Sequence, residues 1–168
     1  MLYIAAQIVG AQLGGFFAST AQAGRDIDIK FYVESDDYIQ QMVVEIFGAF
    51  FLVFMYLSST EEKTKFTKDA AIQTIILAGS YLGAMMLAGT KLTTLQASPV
   101  NPAIVLSVMF WQSNTEIWKS SWIFLSFPFV GSFLALLFFR FIYQKTQDMI
   151  VMEEEEEEGH HEEALLDN

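Results

Sequence analysis

The chain has 168 residues, of which 53% are hydrophobic and 15% aromatic, with no cysteine and a formal net charge of -11 at pH 7. The lack of cysteine excludes a disulfide scaffold, a cysteine-ligated metal site and a cysteine nucleophile. Nine Lys and Arg against 20 Asp and Glu argue against recognition of nucleic acid through a basic face. The apolar residues form long blocks with almost no charge between them, and the mean hydropathy is +0.36, which predicts a membrane protein.

Four segments are long and apolar enough to cross a bilayer as helices, which takes about 20 residues. They are residues 3–23, 38–57, 70–89 and 122–143. The first segment is not a signal peptide, because no basic residue precedes it and Gln7 and Gln12 lie inside it. The sequence therefore predicts a protein that crosses the membrane four times.

A short apolar run between the third and fourth spans predicts a half-helix over residues 101–111. Asn101 is a favourable N-cap, and Pro102 suits the first helical position, where its missing N–H costs nothing. Such a run rises only about half the thickness of a bilayer. Backbone that is not helical at membrane depth persists only where it is buried in protein or lines an aqueous cavity, so a permeation or binding site is expected here. The alternative is a short amphipathic helix lying on the membrane surface.

The net charge is concentrated at the end of the chain. Residues 146–168 contain 10 acidic residues and no Lys or Arg, whereas residues 1–145 carry 10 acids and 9 bases. Like charges repel and do not bury apolar surface, so we expect a disordered acidic tail, which is either an interaction segment or a solvated terminus. Five basic residues flank the side with loop 58–69 against four on the other side, which favours a cytosolic loop and a cytosolic tail.

Four sequence elements follow one another in a distinctive order. They are YIAAQIVGAQLGG at 3–15, EIFGAFFLVF at 45–54, the triplet Asn101-Pro102-Ala103 and WIFLSFPFVGS at 122–132. In this order they resemble the third span, the fourth span, the second signature triplet and the sixth span of the major intrinsic protein family, the aquaporins and aquaglyceroporins. The resemblance implies an all-α, aquaporin-like helical bundle that is partial in this chain. It comprises four transmembrane helices and one re-entrant half-helix in residues 1–145, followed by the acidic tail at 146–168.

The resemblance also implies that Asn101, Pro102 and Ala103 line a pore. The amide of Asn101 would donate hydrogen bonds into the lumen. The N-terminus of the half-helix would direct unpaired N–H groups and a partial positive charge to the same place. Passing water accepts these hydrogen bonds, and cations meet the positive end of the helix dipole.

The narrow selectivity ring departs from the pattern of the family. The family has Arg directly after the triplet, and this chain has Ile104, which removes a fixed positive charge and its hydrogen-bond donors. The other ring members implied by the resemblance are Ser98 and Gly89, or Met86 in place of Gly89 if the loop carries an insertion. Small Gly89 and Ser98 with an uncharged Ile104 predict a ring wide enough for neutral solutes such as glycerol or urea.

Glu45 is an ionisable residue seven positions into the second span, where a charge is costly and usually functional. The resemblance implies that its carboxylate accepts hydrogen bonds from unpaired N–H groups of the loop before Asn101. In the alternative, Glu45 sits near the membrane interface and extends its side chain toward water.

Five small or helix-bending residues are predicted to govern helix packing. Gly10 and Gly14 lie four residues apart, which puts both on one helix face, and Gly83 ends a similar pair. Pro128 is expected to kink the fourth span, and Gly131 to ease a contact about one turn later.

With the resemblance, these features predict a passive channel for water or small neutral solutes such as glycerol in a lipid bilayer. The resemblance also implies homotetramers. No enzyme, cofactor or metal site is predicted, because no catalytic arrangement can be assembled from the spans and His160 and His161 lie in the tail. The chain begins at the third span of the family, so we expect an incomplete chain whose upstream coding sequence supplies two spans and another triplet. The alternative is a non-conducting structural subunit of a membrane complex, favoured by the missing first half and by Ile104.

Overall fold

The computed structural model describes residues 2–21, 33–62, 64–89, 98–111 and 116–153. In these ranges the chain forms the helices α1 (Leu2–Ala21), α2 (Tyr38–Thr60), α3 (Ala70–Ala88), α4 (Pro102–Trp111) and α5 (Glu116–Phe138). A 3-10 turn, Ser35–Asp37, leads into α2, and a π-helical segment, Phe139–Tyr143, continues α5. The described residues contain no strand, in agreement with the all-α fold class.

Four of the described helices are long and apolar enough to cross a membrane. They are Leu2–Ala21, Ser35–Thr60, Ala70–Ala88 and Ile117–Glu153. The fifth, α4, has 10 residues and therefore rises about 15 Å, half of a hydrocarbon core of about 30 Å. The predicted set of four spans and one half-helix is confirmed.

Two of the helix starts follow from N-cap side chains. The carboxylate of Asp69 accepts hydrogen bonds from the N–H groups of Ala71 and Ile72 at 2.8 and 3.2 Å, which starts α3. Asn101 starts α4 in the same way, because its Oδ1 accepts from the N–H of Ala103 at 3.0 Å. The sequence identifies this second cap correctly.

The fourth span is longer than predicted at both ends. The helix begins at Glu116 and continues without a break to residue 153, so residues 146–153 are helical rather than part of a disordered tail. The helix persists because no Gly or Pro occurs between Gly131 and Gly159 and because the continuous acidic run starts only at Glu153. The rest of the predicted tail, residues 154–168, lies outside the described residues.

The helix α2 packs between α3 and α5, antiparallel to α3. Gln73, near the start of α3, donates to the carbonyl of Ser59 near the end of α2. At the opposite end Gln41 of α2 donates to the carbonyl of Ala88 at 3.2 Å. Both ends of this helix pair are therefore joined by a glutamine side chain.

The helices α2 and α5 run parallel. The ring of Tyr38 meets that of Trp122 near the start of both helices, with centroids 6.1 Å apart. The ring of Phe54, near the end of α2, meets that of Tyr143 in the π-helical continuation of α5, with centroids 5.2 Å apart. We call the end where α2 and α5 begin and α3 ends the Tyr38 end of the bundle, and the opposite end the Thr60 end.

The chain segment around α4 enters and leaves the bundle at the Tyr38 end, because α3 ends there and α5 begins there. Between these helices the N–H of Ser98 donates to the carbonyl of Met85 at 3.2 Å. The hydroxyl of Tyr81 donates to the carbonyl of Pro99 at 3.1 Å. Residues 98 and 99 thus lie beside the interior of α3, and the geometry is re-entrant, which excludes a helix lying on the membrane surface.

Among the described helices α1 packs only against α4. The hydroxyl of Ser107 donates to the carbonyl of Ala11 at 2.6 Å, and the indole N–H of Trp111 donates to Gln12 at 3.1 Å. A Cβ built on Gly15 would lie 2.1 Å from the Ser107 hydroxyl, so only glycine allows this approach. The half-helix is therefore fixed to α1 by packing and by two side-chain hydrogen bonds.

The structure does not use Gly10 and Gly14 for close packing. A Cβ built on either would meet nothing within 4 Å among the described residues. The helix α4 lies against the face of α1 that carries Ala11 and Gly15, and Gly10 and Gly14 are on a different face.

Two other predicted packing glycines do lie against a neighbouring helix. A Cβ built on Gly131 would come 2.2 Å from the carbonyl oxygen of Ile46, so α5 and α2 approach at the level of their backbones. A Cβ built on Gly83 would lie 3.3 Å from the ring of Phe51. Pro128 lies inside α5, which continues through it as one helix.

Candidate functional site

The carboxylate of Glu45 is the buried anchor of the segment that leads into α4. The residue is fully enclosed, and its Oε1 accepts hydrogen bonds from the Ser98 hydroxyl and from Nε2 of Gln41, the latter at 3.0 Å. A side chain with no exposed surface does not reach the membrane interface, so the alternative position of Glu45 is excluded.

Ser98 links the Glu45 carboxylate to the backbone of the loop. Its hydroxyl donates to Glu45 and also accepts from the N–H of Val100 at 3.4 Å, because one hydroxyl can act in both ways. The N–H of Ser98 itself donates to Met85. Within residues 98–100, Glu45 therefore supports the loop through the side chain of Ser98, and the N–H groups of Ser98 and Val100 bond elsewhere.

At the start of the half-helix, the side chain and the carbonyl of Asn101 accept the hydrogen bonds of the first-turn N–H groups. The carbonyl of Asn101 accepts from the N–H groups of Ile104 and Val105 at 3.1 and 3.3 Å, and its side-chain Oδ1 accepts from Ala103. Pro102 has no N–H, so the first-turn donors are already satisfied. The unpaired N–H groups expected at this terminus are thus absent from residues 102–105.

The side-chain amide of Asn101 remains as a donor at this terminus. Its oxygen is directed at the first turn of α4, and a planar carboxamide carries its two N–H groups on the opposite arm. Asn101, Pro102 and Ile104 are partly exposed, whereas Ala103 is buried. The dipole of α4 adds a partial positive charge at the same position.

The remaining ring positions differ in exposure. Ser98 is fully buried and its hydroxyl is engaged by Glu45, and Gly89 at the end of α3 is buried as well. Met86, the alternative to Gly89, is 72% exposed. Of the three ring positions assigned with Gly89, Ser98 and Gly89 are buried and Ile104 is partly exposed.

Val100 forms the sharp turn before α4, and its backbone conformation could not be predicted from the sequence. It has a φ of +45°, a region that β-branched residues rarely adopt. The side chain is buried with Ala49, Ala84 and Ala88, which holds the turn in this conformation. A valine gives no sequence signal for a positive φ.

Gln41 and Tyr81 are further supporting residues that the sequence prediction missed. Nε2 of Gln41 is within hydrogen-bond distance of both Glu45 and the carbonyl of Ala88, so it joins the anchor to the end of α3. A glutamine one helical turn before a buried glutamate is a usable signal. Tyr81 bonds the carbonyl of Pro99 but carries no such signal, since tyrosine is common in membrane helices.

The described residues contain no group of three or more His, Cys, Asp or Glu side chains that could hold a metal ion. One oxygen of Glu45 and the side-chain oxygen of Gln41 have no hydrogen-bond donor in the same part of the chain. The chemistry of the site is therefore that of hydrogen bonding and of a helix dipole, carried by neutral groups around one carboxylate.

Comparison with known proteins agrees with this architecture. Residues 1–139 match the family model described as Major intrinsic protein. Aquaporin PIP2-4 of Oryza sativa subsp. japonica is 29% identical over 102 residues, which cover 60% of this chain and 35% of the rice protein. The match thus spans about 35% of the length of this curated relative. No solved structure matches the chain significantly.

Proposed function

The chain belongs to the major intrinsic protein family, and from this premise we propose that it forms part of a passive channel for water and small neutral solutes such as glycerol. Family membership and four apolar helices make it an integral, multi-pass membrane protein. The observation that supports the proposal is the anchored start of α4. Of the residues before Asn101, Ser98 donates a hydrogen bond to Glu45 of α2, and the carbonyl of Pro99 accepts one from Tyr81 of α3.

The proposed chemistry at Asn101 is transient hydrogen bonding to a neutral oxygen. Water or an alcohol accepts from the side-chain amide, while the cap at Ala103 keeps the carboxamide from rotating. A cation is repelled by the positive end of the α4 dipole. The partly exposed residues there, Asn101, Pro102 and Ile104, are uncharged and do not offset that repulsion. The site therefore favours neutral molecules.

Ile104 sets the proposed selectivity. An isoleucine in the place of the usual Arg supplies neither a fixed charge nor hydrogen-bond donors, so this position of the ring is uncharged and apolar. We propose that this position admits glycerol as well as water, with weaker exclusion of cations than an Arg would give. Homotetramers, and a cytosolic position for the Thr60 end with the tail that follows it, are part of the same proposal.

The test is solute flux through vesicles that contain this chain together with the two upstream spans and the second triplet expected from the sequence. Stopped-flow light scattering under a sucrose gradient reports water permeability, and a glycerol gradient reports solute entry. We expect both rates to exceed those of empty vesicles of the same lipid. Rates equal to those of empty vesicles would contradict the channel proposal.

The second candidate is a non-conducting structural subunit, which Ile104 favours because the usual charged ring residue is missing. This alternative predicts co-purification with other membrane proteins at a fixed stoichiometry. A homotetramer free of other proteins would count against it.

A further inference from the structure

Two buried oxygen atoms beside the re-entrant segment have no hydrogen-bond donor among the described residues. They are Oε2 of Glu45 and Oε1 of Gln41, and both side chains are fully enclosed. The two residues lie one helical turn apart on α2, and Nε2 of Gln41 donates to Oε1 of Glu45 at 3.0 Å. A buried acceptor that has left water without gaining a donor is destabilising, so this pair of side chains needs a further donor.

The other hydrogen-bonding groups of the pair are already used. Oε1 of Glu45 accepts from the Ser98 hydroxyl as well as from Gln41. The two hydrogens of Nε2 of Gln41 serve Glu45 and the carbonyl of Ala88, which lies 3.2 Å away. What the pair lacks is therefore one hydrogen that both unpaired oxygens can share.

An ionised Glu45 would have no cation close to it in the described helices. The helices α1 to α4 contain no Lys, Arg or His. In α5 the first cation is Lys119, which precedes Trp122, and the ring of Trp122 meets that of Tyr38 at the start of α2. Glu45 follows Tyr38 by seven residues, so Lys119 lies more than about 10 Å away along the helix axes.

The next cation of α5 is equally remote. Arg140 follows Phe138, whose ring packs against Phe54 with centroids 5.7 Å apart. Phe54 lies nine residues beyond Glu45, which is about 14 Å along α2. Apart from Glu45, the titratable side chains on α2, α3 and α5 before Arg140 are Tyr38, Tyr56, Tyr81, Glu116 and Lys119. Tyr81 donates its hydroxyl hydrogen to the carbonyl of Pro99.

The helix dipoles around Glu45 also disfavour a negative charge there. Through the single amide group of Gln41, the carboxyl group is joined to the carbonyl of Ala88 at the end of α3, which is the negative end of that helix. The first-turn N–H groups of α4 are accepted by Asn101 rather than by Glu45. An ionised Glu45 would therefore face a partial negative charge without an opposing cation.

We propose that Glu45 is a buried proton-binding site, in which Oε2 carries a proton at neutral pH and donates it in a hydrogen bond to Oε1 of Gln41. The carboxylic acid and the amide then form a pair joined by two hydrogen bonds. One proton satisfies both unpaired oxygens and removes the buried charge. A bridging water would also donate to both oxygens, but it would leave the charge in place and bring an oxygen that needs donors of its own. This proposal does not depend on whether the chain conducts.

The test is infrared spectroscopy of the full chain near neutral pH in dodecyl maltoside, a detergent without carbonyl groups. A protonated carboxyl group gives a C=O stretching band that a carboxylate lacks, and this band moves to lower frequency in heavy water. We expect the band in the wild type and its loss in Glu45→Gln. Glu62→Gln, the same change at an exposed glutamate that pairs with Lys65, should keep the full band. If the wild type and Glu45→Gln do not differ in this band, Glu45 is ionised and the proposal is wrong.

Gln41→Leu tests the proposed acceptor of the proton, and it leaves Glu45 in place. Leucine removes the amide oxygen, so the C=O band should remain but move to higher frequency as the acid loses its hydrogen bonds. Gln40→Leu makes the same change at the exposed neighbouring position and should leave the frequency unaltered. An unshifted band in Gln41→Leu would contradict the acid–amide pair.

The proton also links stability to pH. In the unfolded chain the carboxyl group of Glu45 ionises at about pH 4.3, as it does in water, while the folded chain still holds the proton. The folded state then binds more protons than the unfolded state, so its stability is greatest below about pH 4.3 and falls as the pH rises. Relative to Glu45→Gln, the ratio of folded to unfolded wild type should fall by up to about tenfold per pH unit until the folded chain loses the proton.

Unfolding temperatures from circular dichroism, taken in dodecyl maltoside between about pH 5 and about pH 7, measure this difference. We expect the unfolding temperature of the wild type to fall relative to that of Glu45→Gln as the pH rises. The same pH dependence in both proteins would overturn the proposal, because a carboxylate that only accepts hydrogen bonds in the folded state adds no loss of stability in this range.

Discussion

At the scale of single residues, one carboxylate oxygen holds the re-entrant segment in place. Oε1 of Glu45 accepts from both Ser98 and Gln41, and these two residues reach the loop and the end of α3. Removing the acceptor would leave two buried donors unpaired. The contribution of Glu45 is therefore a matter of hydrogen bonding more than of charge.

Glu45→Gln and Glu45→Leu should separate these two contributions. Glutamine keeps an oxygen acceptor and should retain most of the stability, whereas leucine leaves the donors of Ser98 and Gln41 unpaired, at a cost of about 1–3 kcal/mol each. Thermal unfolding of the full chain in detergent, followed by circular dichroism, measures the difference. Val43→Leu on an exposed face of α2 is the control. Equal unfolding temperatures for the Gln and Leu variants would contradict the role assigned to Glu45.

At the scale of helices, the position of the half-helix depends on how closely its neighbours approach. Gly15 brings α1 against Ser107 and Trp111, and Gly131 brings α5 against the backbone of α2. At both positions a built Cβ would overlap a neighbouring atom. The Gly15 contact holds α4 against α1, and the Gly131 contact holds α5 against α2.

Adjacent glycines of α1 offer a matched pair of substitutions. Gly15→Ala places a Cβ within 2.1 Å of the Ser107 hydroxyl and should weaken the packing of α1 on α4, whereas Gly14→Ala meets nothing within 4 Å. Because alanine favours a helix over glycine by about 1 kcal/mol, Gly14→Ala should be neutral or stabilising. Thermal unfolding of the two variants checks this order. A greater loss in Gly14→Ala would show that another face of α1 packs against α4.

The contrast between these glycines explains what sequence predicts well at this scale. Spans and the half-helix follow from composition summed over many residues, together with the local cap at Asn101. Which face of α1 meets a neighbour depends on the placement of α4, so the spacing of Gly10 and Gly14 is insufficient. The same holds for Ser98, whose position before the triplet implies a pore lining while its hydroxyl is turned to Glu45.

At the scale of the whole molecule, the two ends of the bundle are chemically distinct. The Tyr38 end holds the entry and exit of the re-entrant segment, and the Thr60 end holds residues 64–69 before α3 and the extension of α5 to residue 153. The length of that extension was mispredicted because charge summed over 146–168 obscured a helix-compatible stretch before the acidic run. The proposed orientation assigns the Thr60 end to the cytosol.

The natural lack of cysteine makes this orientation directly measurable. Single-cysteine variants at Ser35 and at Thr146 place one thiol at each end of the bundle. In intact cells a maleimide that does not cross membranes should label Ser35→Cys and leave Thr146→Cys unlabelled until the cells are permeabilised. The reverse pattern would place the acidic segment outside the cytosol.

The central claim, that Asn101 at the start of the half-helix donates to permeating water, is tested most directly by the water permeability of vesicles containing Asn101→Asp. Aspartate keeps the oxygen that caps Ala103 but lacks the amide donors, so helicity should be unchanged. We expect water permeability to fall several-fold toward that of empty vesicles, while Gln147→Glu, the same chemical change outside the predicted span, leaves it unaltered. Undiminished permeability in Asn101→Asp would contradict the account.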